Sequence, residues 1–287
     1  FHALGAGGVM HDERRVDALM VETKAGRQAV RAAVFIDCSG DGDLAAWAGA
    51  PFEKGTTAET LVFSTMMFMI NGVDAERAGP AWDTIPALMA EAERNGRRFP
   101  RKGVIIRPQK NPMQWRANAT QVKNPDGSPI DGTDVVQLSR AEIEGRRQCW
   151  DVFEFIRATA PGFERAFISD MGPQIGIRET RRIVGAYVLT EDDCLGCADF
   201  DDTIGVNGWP VERHVADVLI KFPPIPQSRG FNQLPYRMLV PRQVDNLLVV
   251  GRCASMTHEG QSAARVSGPC LAMGQAAGAA ADLVLKT

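Results

Sequence analysis

Ala32-Ala33-Val34-Phe35-Ile36-Asp37-Cys38-Ser39-Gly40-Asp41-Gly42-Asp43 is the stretch that decides the fold. Its first five residues are wholly apolar, as in a strand covered on both faces. The run opens into glycines and acidic residues, and the alanine-rich segment Leu44 to Ala50 follows and stops at Pro51. The pattern predicts strand, glycine turn and short helix. A second such unit lies near the other end, where Asn246-Leu247-Leu248-Val249-Val250 predicts a buried strand ended by Gly251-Arg252. A polar turn, Cys253 to Gln261, then carries His258 and Glu259, and Ser262 to Leu285 predicts a helix of small residues with Gly274 and Gly278 on one face. Those glycines are expected to let the helix pack closely on a sheet. Ligands of open α/β sheets bind beyond the carboxyl ends of strands, where backbone N–H groups are free. Glycine there lets a bulky group approach the main chain.

Working outward, Arg15 to Val21 and Gln28 to Ile36 are strand-like runs joined by the turn Lys24-Ala25-Gly26-Arg27. From Phe52 to about Gly230 the texture changes to strand-like segments, helices and long polar loops. Leu61 to Ile70 predicts a buried strand. Ser139-Arg140-Ala141-Glu142 fits a capping box and places a helix from Arg140 to Ala158. A shorter helix is expected after Thr190, whose acidic followers Glu191, Asp192 and Asp193 suit a positive helix end. Gln174 to Leu189 is expected as strands, so Arg178 and Thr180 would share one face while Glu179 and Arg181 share the other. The Pro-, Gly- and Asn-rich stretch from Pro108 to Asp134 is expected as a long loop, a lid or partner contact.

Composition narrows the classes. The 287 residues are 45% hydrophobic and 23% charged with a net charge of −3, ordinary for a globular chain. No broad basic stripe suits nucleic acid, and no apolar run approaches the ~20 residues of a membrane span. The expected setting is cytoplasmic. Six cysteines at irregular spacing do not form a disulfide framework. Cys194 and Cys197 make a lone C-x-x-C, open to structural, redox or metal roles, with no second pair to complete a zinc site, so no metal is expected.

Three segments now carry a resemblance. Phe35 to Asp43 with Ala48-Gly49-Ala50-Pro51, the cluster Gly176-Ile177-Arg178-Glu179-Thr180-Arg181-Arg182-Ile183, and Val249 to Gly278 resemble, in order, motifs of a large family of FAD-dependent oxidoreductases. The resemblance implies FAD and a glutathione-reductase-like α/β fold. Residues 1–51 and 231–287 would be FAD-domain segments, with an inserted α+β substrate domain over 52–230. It places Ser39, Gly40, Asp41 and Gly42 near the adenosine or pyrophosphate, and Gly251 and Arg252 by the pyrophosphate or ribityl chain. His258 and Arg265 would lie toward the flavin ring. The family's usual opening G-x-G-x-x-G unit has no counterpart, since Gly5-Ala6-Gly7-Gly8 follows no apolar strand and suits a strand edge or turn. About a hundred residues would therefore stand upstream, or a second polypeptide would supply that unit.

The implied activity is hydride transfer between FAD and a small organic substrate, in an oligomer. The alternative is a non-catalytic or assembly subunit of a split flavoprotein. For catalysis, His258 is either a general acid–base or a hydrogen-bonding partner of the cofactor. Glu259 either orients it or is solvated. Arg178 either clamps a substrate carboxylate or pairs with Glu179. Arg265, expected in the first turn of the last helix, calls for an anionic partner.

Overall fold

The computed structural model describes residues 4–55, 61–215, 218–222 and 228–287. It is a mixed α/β chain with several small sheets, and its contacts divide it into two compact units. One comprises Phe1–Thr60, Glu179–Arg213 and Ile220–Thr287, and the other Leu61–Arg178 with His214–Leu219. The division is tighter than the 52–230 drawn from sequence. Phe52–Lys54 pairs antiparallel with Arg181–Ile183, and Thr203–Asn207 with Asn232–Pro235, so all four segments stay in the first unit.

In the first unit, Leu4–Met10, Val16–Thr23 and Gly26–Arg31 form an antiparallel sheet with Leu4–Met10 at its edge. The Gly5–Gly8 stretch thus lies within an edge strand, as its sequence suggested. Phe35–Asp37 then leaves that sheet and pairs in parallel with Leu247–Val249, Phe35 opposite Leu247 and Asp37 opposite Val249. Asn246 sets the register. Its side chain accepts from Val16 N at 2.9 Å and donates to Val16 O at 2.9 Å, while its own carbonyl accepts from Phe35 N.

The final helical segment departs from expectation. His258–Ala264 is already helical, capped by Thr257 Oγ1, and the long helix is Ser267–Lys286. Val266 between them is extended, so Arg265 closes the first helix and does not open the second. Pro269, Met273 and Ala277 form the buried stripe of the long helix. The close approach to a strand comes from the other partner. A Cβ on Gly205 would lie 2.8 Å from Ala272 Cβ, whereas Gly274 and Gly278 face open space.

The second unit is a four-stranded antiparallel sheet in the order Ile105–Pro108, Trp115–Asn118, Phe68–Asn71, Phe167–Met171. Phe68, Ile70, Trp115 and Ala117 alternate inward, the pattern of a sheet with one buried face. The core they enter also holds residues of the helices Ala81–Arg94 and Val135–Thr159. The latter buries Ala141, Gly145, Gln148, Cys149, Val152, Phe153 and Ile156, one stripe at helical spacing. It starts five residues earlier than Arg140 because Asp134, not Ser139, is the cap. The Asp134 carboxylate accepts from Val136 N and Gln137 N, while Ser139 Oγ donates to Val135 O inside the helix. The expected Pro108–Asp134 loop contains a strand, and of the predicted Leu61–Ile70 strand only Phe68–Asn71 is formed. The Thr190 helix is present as Glu191–Leu195 with its capping box to Asp193.

Asn246 leads to a stability prediction. Asn246→Leu leaves Val16 N and O without partners, at a cost of about 1–3 kcal/mol. Urea unfolding of the variant should show its midpoint shifted down with an unchanged slope.

Candidate functional site

Because Phe35–Asp37 and Leu247–Val249 run in parallel, the two glycine turns that follow emerge side by side. Asp37, 4% exposed, organises the first. Its carboxylate accepts from Ser39 N, Ser39 Oγ (2.7 Å) and Ala45 N (3.0 Å), and its carbonyl accepts from Val250 N of the neighbouring segment. Ser39 Oγ in turn accepts from Asp41 N and Asp43 N, so this hydroxyl is engaged inside its own turn. Gly40 (φ 80°) and Gly251 (φ 91°) take left-handed conformations that favour glycine. A Cβ on Gly40 would sit 2.6 Å from Arg252 Nη1. The guanidinium therefore lies directly on bare backbone. Arg252 Nη2 also donates to Asp41 Oδ1 at 2.8 Å, and Arg252 Nε is buried without a hydrogen-bond partner.

Asp41 ties the third motif to this cradle. Its carboxylate accepts from Thr180 Oγ1 at 2.6 Å, and its carbonyl from Arg181 Nη1, which also meets Asp43 at 2.8 Å. Thr180 and Arg181 thus work together although they are adjacent in sequence. The expected strand alternation fails because 178–180 is irregular and the strand begins at Arg181. The same irregularity lets Glu179 and Arg182 meet. Glu179, 1% exposed, pairs with Arg182 Nη1, and the Arg182 fork continues to Gly55 O (2.8 Å), Met256 O (3.1 Å) and Glu53 (3.3 Å).

His258 Nδ1 stands 2.9 Å from Glu179 Oε1. Facing a carboxylate, Nδ1 carries the proton, which leaves Nε2 as the ring nitrogen free to exchange one. The imidazole keeps 18% of its side-chain surface exposed and borders a cavity of about 550 Å³ lined also by Glu53, Lys54, Gly55, Arg182, Thr257 and Glu259. Glu259 is thus at the rim, and the group orienting His258 is Glu179, 79 residues away. Sequence reading had cast Glu179 only as a partner for Arg178. Arg178 instead donates to the Phe63 carbonyl in the second unit.

Arg265 has the anionic partner its burial demands, Glu212 at 3.8 Å. Burial pushes its pKa below the ordinary guanidinium range, with Arg252 adding to the fall, while Glu212 and Glu179 oppose it. Among the described residues no group of three or more His, Cys, Asp or Glu side chains could hold a metal ion. No helix there is long and apolar enough to cross a membrane.

A family model for FAD dependent oxidoreductases matches residues 1–287. The chain belongs to that family. Membership implies FAD as the cofactor. No curated protein sequence matches the chain. One similar solved structure comes from studies of BexE and oxidation during BE-7585A biosynthesis. It shares 14% identity at a TM-score of 0.38, over 91% of this chain and 35% of that one. The chain thus spans about a third of that protein's length.

Cys194 and Cys197 are free thiols. Cys194 is buried on the Glu191–Leu195 helix, and burial, with Asp193 and Glu191 nearby, raises its thiol to about 12. A thiol relay needs a thiolate near neutral pH. Native alkylation with iodoacetamide at pH 8 should leave Cys194 unmodified, with labelling only after denaturation. Its native rate should rise about tenfold per pH unit above that. Peptide mass spectrometry of the Cys194 peptide checks this.

Proposed function

We propose that this chain supplies one wall of an FAD site and a proton-handling histidine to a flavin-dependent oxidoreductase that moves a hydride between FAD and a small organic substrate. The observation that carries it is the line Arg182–Glu179–His258, ending at the edge of the 550 Å³ cavity. A fully buried carboxylate that grips an imidazole at its inner nitrogen leaves the outer one ready to take or give a proton.

The residues present fit the cofactor. Two left-handed glycine turns lie at the ends of adjacent parallel strands, with an arginine against one of them whose buried Nε lacks a partner. That is a donor-rich setting for a pyrophosphate. In this reading Gly251 lets it approach, Gly40 and Gly42 make room for Arg252 and Ile183, Arg252 and Arg265 meet its charge, and Ser39 and Asp41 hold the turn. FAD, when bound, supplies the two-electron redox chemistry. Arg182 holds Glu179 in place, and Glu179 orients the His258 ring. Glu259, Glu53 and Lys54 give the cavity mouth its charge. Arg178, in the other unit, would bear on substrate only through that unit.

The glutathione-reductase-like arrangement, with FAD-domain segments on either side of an inserted substrate domain, belongs to the same proposal. So does the need for a G-x-G-x-x-G unit from further sequence or a partner polypeptide, because the Gly5–Gly8 strand enters no helix. The buried Arg182–Glu179 pair makes Glu179→Gln the informative variant, since it keeps shape and removes charge. Flavin content, read from visible absorbance, should stay near that of the parent once the G-x-G-x-x-G unit is supplied. Flavin reduction in single turnover should fall about 10²–10⁴-fold. A chain that holds no flavin even with that unit supplied overturns the cofactor assignment. Flavin-loaded protein whose turnover ignores both Glu179→Gln and His258→Ala assigns the chain to an assembly role instead.

A further inference from the structure

The second unit contains a cavity of its own, about 500 Å³, that the flavin reading does not use. Its inner wall is polar. Gln121 is 6% exposed and lines the cavity, yet its side-chain oxygen is buried with no hydrogen-bond partner. The neighbouring Gln148, equally buried, cannot serve it. Gln148 Oε1 accepts from Gln121 N at 3.1 Å, and Gln148 Nε2 donates to Glu144 at 2.9 Å. Glu144 in turn is taken by Arg147, which holds its carboxyl below the usual range. Gln148 and Glu144 are thus engaged with other groups, and the Gln121 side-chain oxygen is left over. Buried acceptors are nearly always satisfied in folded proteins, so the exception points to a donor that comes from outside.

The rest of the lining states what else the visitor carries. Phe99, Val122, Ile130 and Ala141 supply apolar wall, and Arg140 lines the cavity as an exposed guanidinium. Arg140 stands one turn before Glu144 on the Val135–Thr159 helix, but Glu144 is already held by Arg147 and Gln148. A cation at the mouth, an unmet acceptor within and apolar surface between describe one kind of ligand. We propose that this cavity binds a small hydroxycarboxylate, its hydroxyl donating to Gln121 Oε1, its carboxylate meeting Arg140 and its carbon body against Phe99 and Ile130. The volume lies in the range of small-molecule sites. The proposal stands on the second unit alone and does not depend on the flavin reading.

Calorimetric titration of the full chain with 4-hydroxyphenylacetate and 6-hydroxyhexanoate tests it, with phenylacetate and hexanoate as the partners lacking the hydroxyl. At least one hydroxylated acid should bind saturably and at least tenfold tighter than its hydroxyl-free partner. Gln121→Met, which fills the same volume without the acceptor, should abolish that preference, and Arg140→Ala should weaken both members of the pair about tenfold. Thermal melting separates folding from binding. Gln121→Met should melt no lower than the parent, because it removes an unsatisfied buried group. No saturable binding to the parent, or a hydroxyl preference that survives in Gln121→Met, overturns the assignment.

Discussion

A carboxylate without solvent has to be paired, and the pairing of Glu179 with Arg182 is the constraint around which the first unit is arranged. Removing one partner of such a pair typically costs about 3–5 kcal/mol, because the other is left as an uncompensated buried charge. Arg182 cannot serve Glu179 alone, since its fork carries five donors. It uses the others on the carbonyls of Gly55 and Met256 and on Glu53. Three stretches distant in sequence are thereby pinned to one guanidinium. Glu179 then has its remaining capacity fixed in direction, and that direction is His258. Site geometry and local fold are one set of hydrogen bonds here, so a substitution at Arg182 would disturb both together.

The strand–glycine turn–helix units were legible because they rest on local rules. An apolar run ending in glycines has few alternatives, and both Phe35–Asp37 and Leu247–Val249 form where the pattern put them. Their parallel pairing, which makes one cradle of two turns, needed Asn246 to bridge Val16 and Ala33, and a side-chain bridge of that kind leaves no periodicity. The Asp134 cap was hidden for a different reason. Both Asp134 and Ser139 fit a cap, and the choice between them depends on how much of the helix the sheet needs covered. Local chemistry offered two starts, and packing selected one.

Glu179 is the residue of the candidate site that sequence reasoning misplaced. Read as a strand, Arg178-Glu179-Thr180-Arg181-Arg182 puts Glu179 beside Arg181 and away from Arg182. The chain is irregular until Arg181, and so an i, i+3 pair forms instead. A signal was present in the sequence. Two acidic and basic residues three apart, beside a strand too short to bury them by alternation, fit a buried pair as well as an exposed face. The histidine's neighbour Glu259 was the easier choice because it is adjacent, yet adjacency at a helix start turns side chains apart by about a hundred degrees per residue.

The electrostatics of the cradle set a limit on how it can hold an anion. Arg252 is already bound to Asp41, and Arg265 to Glu212. Each carboxylate offsets its arginine's charge in a place where two cations would otherwise oppose each other, and Arg252 does lower the Arg265 pKa. In the proposed reading, a pyrophosphate at the glycine turns would therefore meet positive charge that is already partnered. It gains the unpaired Arg252 Nε and the backbone N–H groups outright, but gains the guanidinium charge only in competition with Asp41. Affinity here is a difference between two anions on one arginine. Removing the Asp41 carboxylate would therefore not simply free Arg252 for ligand. It would also release Thr180, whose hydroxyl shares that oxygen, and loosen the segment that carries Glu179.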